Sequence, residues 1–207
     1  MPDSSLRSEF LRNLTIPNAL TLLRLAIVPV FLVASFRGQF TLAFVLFVSA
    51  AVTDIVDGFV ARRFNQRSRL GAILDPAADK TMMICGYLYY TLNENVRLPI
   101  PGWLTFTILI RDVMIILFAY LLYTRVQVRR FPPSPAGKAS TLLQAIALAA
   151  AIAANGFAPG LERLAVVLFH VALVVTLYSS WDYLRRGDRL LDPAPLSPYN
   201  PRLDRVK

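Results

Sequence analysis

Six long apolar segments constrain this chain more than any other feature of its sequence. They run over about residues 19–36, 40–59, 70–92, 103–123, 139–157 and 164–183. Each is close to the ~20 apolar residues that an α-helix needs to cross the hydrocarbon core of a bilayer. Hydrophobic residues make up 56% of the chain and charged residues 17%, whereas soluble domains average about 45–50% and about 25%. The sequence therefore predicts an all-α integral membrane protein with six transmembrane helices.

Positive charge is distributed unevenly between the two sides of these predicted spans. Sixteen of the 22 lysine and arginine residues lie in the N-terminal segment, the second-to-third and fourth-to-fifth connections and the C-terminal tail. Only Arg37, Arg97 and Arg163 lie in the connections on the opposite side. Because lysine- and arginine-rich loops stay in the cytoplasm, we expect both termini to be cytoplasmic, in a multi-pass protein of the cell (inner) membrane.

Composition also argues against nucleic acid as a partner and divides the chain into three regions. The net charge of +9 indicates an anionic membrane surface rather than nucleic acid, because no basic stripe interleaved with aromatic residues occurs outside the apolar segments. The single cysteine, Cys85, excludes an internal disulfide. We predict an interfacial segment over residues 1–16, a membrane domain over residues 17–186 and a disordered, proline-rich tail over residues 187–207.

Four aspartates interrupt the second and third apolar segments: Asp54, Asp57, Asp75 and Asp79. Within each pair the spacing is three or four residues, which places both carboxylates on one helix face. The connection between the segments is short, so we expect antiparallel neighbouring helices whose four carboxylates meet near the cytoplasmic interface. Carboxylate oxygens are the ligands that Mg²⁺, Mn²⁺ and Ca²⁺ prefer, and two such ions can clamp an in-line phosphoryl displacement. Structural salt bridges, an ion path in a small transporter and a scaffold without chemistry remain alternatives.

Small and basic residues next to these acids favour a phosphate-containing ligand. Gly58 and Gly71 have no side chain to block the approach of a bulky ligand to the backbone, and Ala61 keeps the same helix face open. Arg62 can donate two parallel hydrogen bonds to a phosphate. Together with the acids, these residues indicate a nucleotide-diphosphate substrate, although the glycines could instead serve helix packing.

The stretch from Asp54 to Asp79 has the pattern D-x₂-D-G-x₂-A-R-x₈-G-x₃-D-x₃-D. It resembles the signature of the CDP-alcohol phosphatidyltransferase family at all eight fixed positions. The layout of apolar segments over about residues 16–186 is similar to that family, as is the segment from Asn18 to Arg24. The resemblance implies that an acceptor alcohol attacks the β-phosphorus of CDP-diacylglycerol and that CMP leaves.

The resemblance also implies roles for individual residues. Asp54, Asp57 and Asp75 would bind two Mg²⁺ or Mn²⁺ ions. Asp79 would contact the metal site and act as general base on the acceptor hydroxyl. The cytidine-diphosphate pocket would be lined by Gly58, Ala61 and Arg62. Homodimerisation is an expectation from this resemblance alone.

The identity of the acceptor alcohol depends on basic residues farther along the chain, which could bind it. Arg111, in the fourth segment, and Lys138, at the start of the fifth, could bind a phosphate on the acceptor. Alternatively, Arg111 forms a structural pair with Asp112 or a motif acid, and Lys138 snorkels to the interface. The motif region resembles the glycerol-phospholipid branch of the family, so we expect glycerol 3-phosphate as acceptor. Phosphatidylglycerol is the alternative, because Arg111-Asp112 and Ala119 depart from the pattern of the glycerol-3-phosphate-using members.

Overall fold

The computed structural model describes residues 16–64, 71–126 and 134–191, with side chains over 22–54, 80–118, 120, 124 and 134–186. All regular structure in these ranges is helical, as predicted. The six α-helices are α1 (Ile16–Phe36), α2 (Phe40–Phe64), α3 (Gly71–Leu92), α4 (Gly102–Val126), α5 (Pro135–Asn155) and α6 (Glu162–Leu191), with a single 3₁₀ turn at Pro159–Leu161 before α6.

Two helix boundaries show how local sequence sets the bundle. After α1 the chain turns at Gly38, whose φ of 70° suits a residue without a side chain. The Gly38 amide donates to Ser35 and the Gln39 amide to Ala34, at 3.0 and 2.9 Å, and these two bonds satisfy the last carbonyls of the helix. Helix α5 begins after Ser134, whose hydroxyl accepts from the Gly137 amide at 2.9 Å.

Small side chains allow the helices to pack closely. Helices α5 and α6 share the most extensive helix–helix contact in the described part of the chain, and α1 packs along both α2 and α3. On α5, Ala147, Leu148 and Ala151 are fully buried. A Cβ added to Gly86 of α3 would lie only 2.7 Å from Leu148 Cδ2, so the absence of a side chain there permits the close approach of α3 and α5.

Some polar groups are buried in the bundle, and many large apolar side chains are exposed on it. Ser140, Gln144 and Thr176 are buried and hydrogen-bond to one another at 2.9–3.0 Å across α5 and α6. In contrast, Phe106 is 65% exposed and Val174 is 63% exposed. A continuous apolar exterior of this kind is unusual for a protein surrounded by water and suits contact with lipid.

Fewer helices meet the length and hydropathy required of a membrane span than the six predicted from the sequence. In the described residues, two helical stretches are long and apolar enough to cross a bilayer, Pro135–Asn155 and Pro159–Arg186. The apolar stretches Leu22–Phe36 and Phe40–Asp54 are shorter. Six membrane spans therefore stay a prediction, although six helices occur in the predicted order.

The helices also extend beyond the apolar segments. Helix α2 continues to Phe64, past the predicted end at residue 59, and α6 continues to Leu191. The predicted boundary at residue 186 thus falls inside a helix, so residues 187–191 are helical where a disordered tail was expected. The Asp182–Arg186 ion pair, at 3.0 Å and four residues apart, supports this extension. The rest of the tail and residues 1–15 of the interfacial segment lie outside the described residues.

We predict that Gly156→Ala destabilises the bundle by about 1–3 kcal/mol, the usual cost of overpacking. A Cβ at Gly156 would lie 3.1–3.3 Å from atoms of Phe40 and Thr41, including backbone atoms that cannot rotate away. The measurement is the thermal unfolding midpoint in detergent. Gly160→Ala is the matched control, because a Cβ there would have nothing within 4 Å; equal midpoints for the two variants would contradict the prediction.

Candidate active site

The residues of the aspartate motif lie on α2 and α3. Asp54 is in the second half of α2, and Asp75 and Asp79 are in the first half of α3. The other motif positions on these helices are Asp57, Gly58, Ala61, Arg62 and Gly71. Asp54 alone has a described side chain. The meeting of the four carboxylates and the direct packing of α2 on α3 therefore stay predictions.

Asp54 is paired with an arginine to which sequence reasoning assigned no role. Arg24 Nη1 donates to Asp54 Oδ1 at 2.9 Å. Only 2% of the Arg24 side chain is exposed, whereas the Asp54 side chain is 43% exposed. Arg24 is the one charged residue in the first apolar segment, and a charge inside a membrane helix was the signal that could have identified it.

A cavity of about 620 Å³ lies between the helices, and Asp54 is part of its wall. This volume is within the range of small-molecule sites, about 300–1,000 Å³. All six α-helices contribute to the wall, which is mainly apolar. Its charged groups are Arg24, Asp54, Lys80, Arg111, Asp112 and Lys138. The structure thus brings Arg111 and Lys138, predicted from separate segments, to the same cavity as the first motif aspartate.

Asp112 joins two of the cations on this wall. Its carboxylate accepts from Lys80 Nζ through one oxygen and from Arg111 Nη1, at 2.9 Å, through the other. The pairing of Arg111 with Asp112 was one of the two interpretations of this arginine. Arg111 also donates to Ser179 Oγ on α6 at 3.2 Å. The Arg111 Nε is buried and has no hydrogen-bond partner among the described residues.

Lys138 lies in the first turn of α5, at the edge of the cavity. Its ammonium group forms no hydrogen bond or ion pair with another described residue, although its backbone amide donates to Ser134 at 3.1 Å. The first turn of a helix carries a partial positive charge. Lys138, Arg111 and this helix terminus therefore make this part of the cavity wall suitable for an anion.

Of the four predicted metal ligands, Asp54 is the one whose side chain the structure describes. No group of three or more His, Cys, Asp or Glu side chains that could hold a metal occurs among them. Asp54 does fit, because a carboxylate on the cavity wall is a suitable ligand for Mg²⁺ or Mn²⁺. Its predicted partners Asp57, Asp75 and Asp79 lie outside the described side chains.

The chain belongs to the CDP-alcohol phosphatidyltransferase family, whose model matches residues 14–178. This match confirms the resemblance carried by the aspartate motif, and the family is one of membrane-bound enzymes.

Individual relatives have two different names. The chain is 33% identical to the cardiolipin synthase (CMP-forming) of Homo sapiens, over 84% of this chain and 62% of that protein. It is 31% identical to the CDP-diacylglycerol–glycerol-3-phosphate 3-phosphatidyltransferase of Aquifex aeolicus, over 86% of this chain and 98% of that protein. A probable phosphatidylglycerophosphate synthase of Mycobacterium tuberculosis is 32% identical, over 86% of this chain and 84% of that protein. The chain spans less than two thirds of the length of the human and rat relatives.

We predict that Asp112→Asn destabilises the protein by roughly 3–5 kcal/mol, because it leaves the buried Arg111 and its neighbour Lys80 without a counter-charge. The midpoint of thermal unfolding in detergent measures this effect. Asp182→Asn is the matched control, since its partner Arg186 is 45% exposed and such pairs contribute about 0–1 kcal/mol. The prediction is wrong if both substitutions lower the midpoint equally.

Proposed function

We propose that this chain transfers the phosphatidyl group of CDP-diacylglycerol to a glycerol-type alcohol and releases CMP, as a step of phospholipid biosynthesis. The observation that carries the proposal is the cavity whose wall contains both the first motif aspartate, Asp54, and the cations Arg111 and Lys138. A donor pyrophosphate held at the acidic motif and an acceptor phosphate held at the basic side would then meet in one space. The names of the relatives support the same reaction class.

The chemistry on the donor side follows from the motif. Two Mg²⁺ or Mn²⁺ ions, when bound to Asp54, Asp57, Asp75 and Asp79, supply charge neutralisation at the pyrophosphate. Asp79 accepts the proton of the acceptor hydroxyl, and the resulting oxygen attacks the β-phosphorus. The bond from that phosphorus to the bridging oxygen breaks, and CMP leaves with this oxygen. The cytidine-diphosphate group is held by the small and basic residues Gly58, Ala61, Arg62 and Gly71.

On the acceptor side, glycerol 3-phosphate is the best-supported substrate. Lys138 has an ammonium group without a partner in the described residues, and Arg111 brings a second cation to the same cavity wall. Gly137 lies in the first turn of α5, directly before Lys138. A Cβ at Gly137 would lie 3.3 Å from Arg111 Nη2, so glycine leaves the guanidinium room beside the helix terminus. Together these groups form a binding site for one phosphate dianion.

A second candidate acceptor is phosphatidylglycerol, which would give cardiolipin. A cleft of about 120 Å³ leads from Arg111 between α4 and α6 and is lined by the apolar side chains of Met114, Leu117, Phe118 and Leu184. Such a wall suits an acyl chain, which glycerol 3-phosphate lacks. The Arg111-Asp112 pair and the human relative, a CMP-forming cardiolipin synthase, favour the same acceptor.

The proposed topology places the reaction at the cytoplasmic face. All six helices would cross the cell (inner) membrane, with both termini in the cytoplasm. The positive charge of the connections beside the motif supports this orientation. The apolar exterior of the bundle supports the spans themselves. Homodimerisation remains an expectation from the family.

The reaction is tested with purified protein in detergent micelles, supplied with labelled CDP-diacylglycerol and either Mg²⁺ or Mn²⁺. Glycerol 3-phosphate, phosphatidylglycerol, inositol phosphate and serine are offered separately. CMP release is expected with a glycerol-type acceptor only and should stop when a chelator is added. The lipid product identifies the acceptor, and the absence of CMP release with every acceptor would contradict the proposal.

We predict that Asp79→Asn lowers kcat by about 10²–10⁴-fold, the usual contribution of a general base. The amide has the shape of the carboxylate but cannot take a proton. Asp182→Asn serves as control, because the same substitution is made away from the cavity. Near-normal turnover by the Asp79 variant would remove the assigned base.

We predict that Lys138→Gln raises the KM for the phosphate-bearing acceptor by about 10–100-fold, since a hydrogen bond to a charged group contributes about 1.5–3 kcal/mol. The KM for CDP-diacylglycerol should stay the same, because the donor phosphates lie at the acidic side. Lys138→Arg retains the charge and should restore most of the affinity. An unchanged acceptor KM in the glutamine variant would assign Lys138 to the membrane interface instead.

A further inference from the structure

The position of Arg24 in the bundle is unusual for a charged residue. Among the described side chains of α1, the buried ones are Arg24, Val28, Phe31, Ala34 and Ser35. Their spacing places them on one face of the helix, which packs against its neighbours. Arg24 is the one charged residue on this face, and its charge requires a partner on another helix.

Asp54 is one such partner, and the geometry of the pair leaves its carboxylate accessible. The hydrogen bond joins Arg24 Nη1 to one carboxylate oxygen of Asp54, Oδ1. The Asp54 side chain is nevertheless 43% exposed and lies on the cavity wall. A buried, fixed donor therefore holds one oxygen of an accessible carboxylate, and both side chains belong to the same cavity.

We propose that Arg24 is a positioning residue for the metal site: its guanidinium fixes the Asp54 carboxylate so that the second oxygen is directed at a divalent cation. The inference rests on the proposed function, in which Asp54 is a metal ligand. A carboxylate without such a partner rotates about its terminal torsion, and ordering it on metal binding costs free energy. Residues that hydrogen-bond to a metal ligand commonly contribute about 10–100-fold to metal affinity.

A purely electrostatic role for Arg24 would have a different effect. As a counter-ion, Arg24 would neutralise Asp54 and compete with the cation, because like charges repel. Removing its charge would then strengthen metal binding, and replacing it with another cation would change little. If Arg24 is a positioning residue, removing its charge weakens metal binding, and replacing it with another cation weakens it too. The reason is that a positioning residue acts through the direction of its hydrogen-bond donors. Arginine presents a rigid planar fork, whereas lysine presents a flexible point charge.

The deciding variants are Arg24→Lys and Arg24→Gln, with Ser35→Ala as control. Lysine retains the charge and so protects folding, but it does not reproduce the guanidinium geometry. Ser35 is buried on the same helix, eleven residues farther along, roughly 16 Å away at 1.5 Å per residue. Mn²⁺ binding is measured on detergent-solubilised full-length protein without lipid substrate, from the electron paramagnetic resonance signal of free Mn²⁺. The Mn²⁺ concentration for half-maximal CMP release, the acceptor KM and the thermal midpoint are measured in parallel.

We expect both Arg24 variants to bind Mn²⁺ about 10–100-fold more weakly than the wild type, with a matching rise in half-saturating Mn²⁺ and an unchanged acceptor KM. Ser35→Ala should bind Mn²⁺ like the wild type. Unchanged or tighter Mn²⁺ binding by Arg24→Lys overturns the inference. It is also overturned if the Arg24 variants differ from the wild type only in a lower thermal midpoint. A wild type that binds no Mn²⁺ overturns it too. Weakened Mn²⁺ binding in the variants, with no CMP release by the wild type, would support the positioning role and reject the proposed reaction.

Discussion

An arginine inside an apolar helical bundle has to be paired, because an uncompensated charge at the centre of a membrane helix costs roughly 2.5–3.5 kcal/mol on insertion scales. Arg24 and Arg111 are both buried, and each is paired with an aspartate on the wall of the same cavity, Asp54 and Asp112 respectively. These contacts also connect helices: the first joins α1 to α2, and Arg111 reaches Ser179 on α6. The charged groups proposed to serve the chemistry are therefore also the groups that hold the helices around the cavity.

The two ends of the bundle are stabilised differently. At the end opposite the cavity, the Asn155 side chain accepts from the Leu98 amide and donates to its carbonyl, at 2.9 and 3.0 Å. An exposed ion pair joins Arg97 to Glu162 at 2.5 Å. These contacts fix connecting segments, and they bring no buried charge into the bundle. Buried charge is instead concentrated beside the aspartate motif, which is where a pyrophosphate and metal ions would need compensation.

The six helices follow the six apolar segments in order, because a helix that buries its backbone polar groups is the stable form of such a segment in lipid. The helix ends were less predictable. Hydropathy marks where the chain stops being apolar, but backbone hydrogen bonding continues through polar residues such as those preceding Phe64 and Leu191. Arg24 was visible as the one charge in the first apolar segment, yet Asp54, which it binds, is 30 residues away and no local pattern identifies it.

The sequence by itself was enough to establish the all-helical class, the family and the spacing of the aspartate motif. The reason is that the hydrophobic pattern and the motif spacing can be read directly from the order of residues. Packing in three dimensions established which charges meet. Asp112 of α4 binds Lys80 of α3, and Lys138 enters the same cavity without a partner of its own among the described residues. These choices depend on which helix faces lie together, and contacts across 30 to 70 residues are decided by the combined burial and pairing of all the helices.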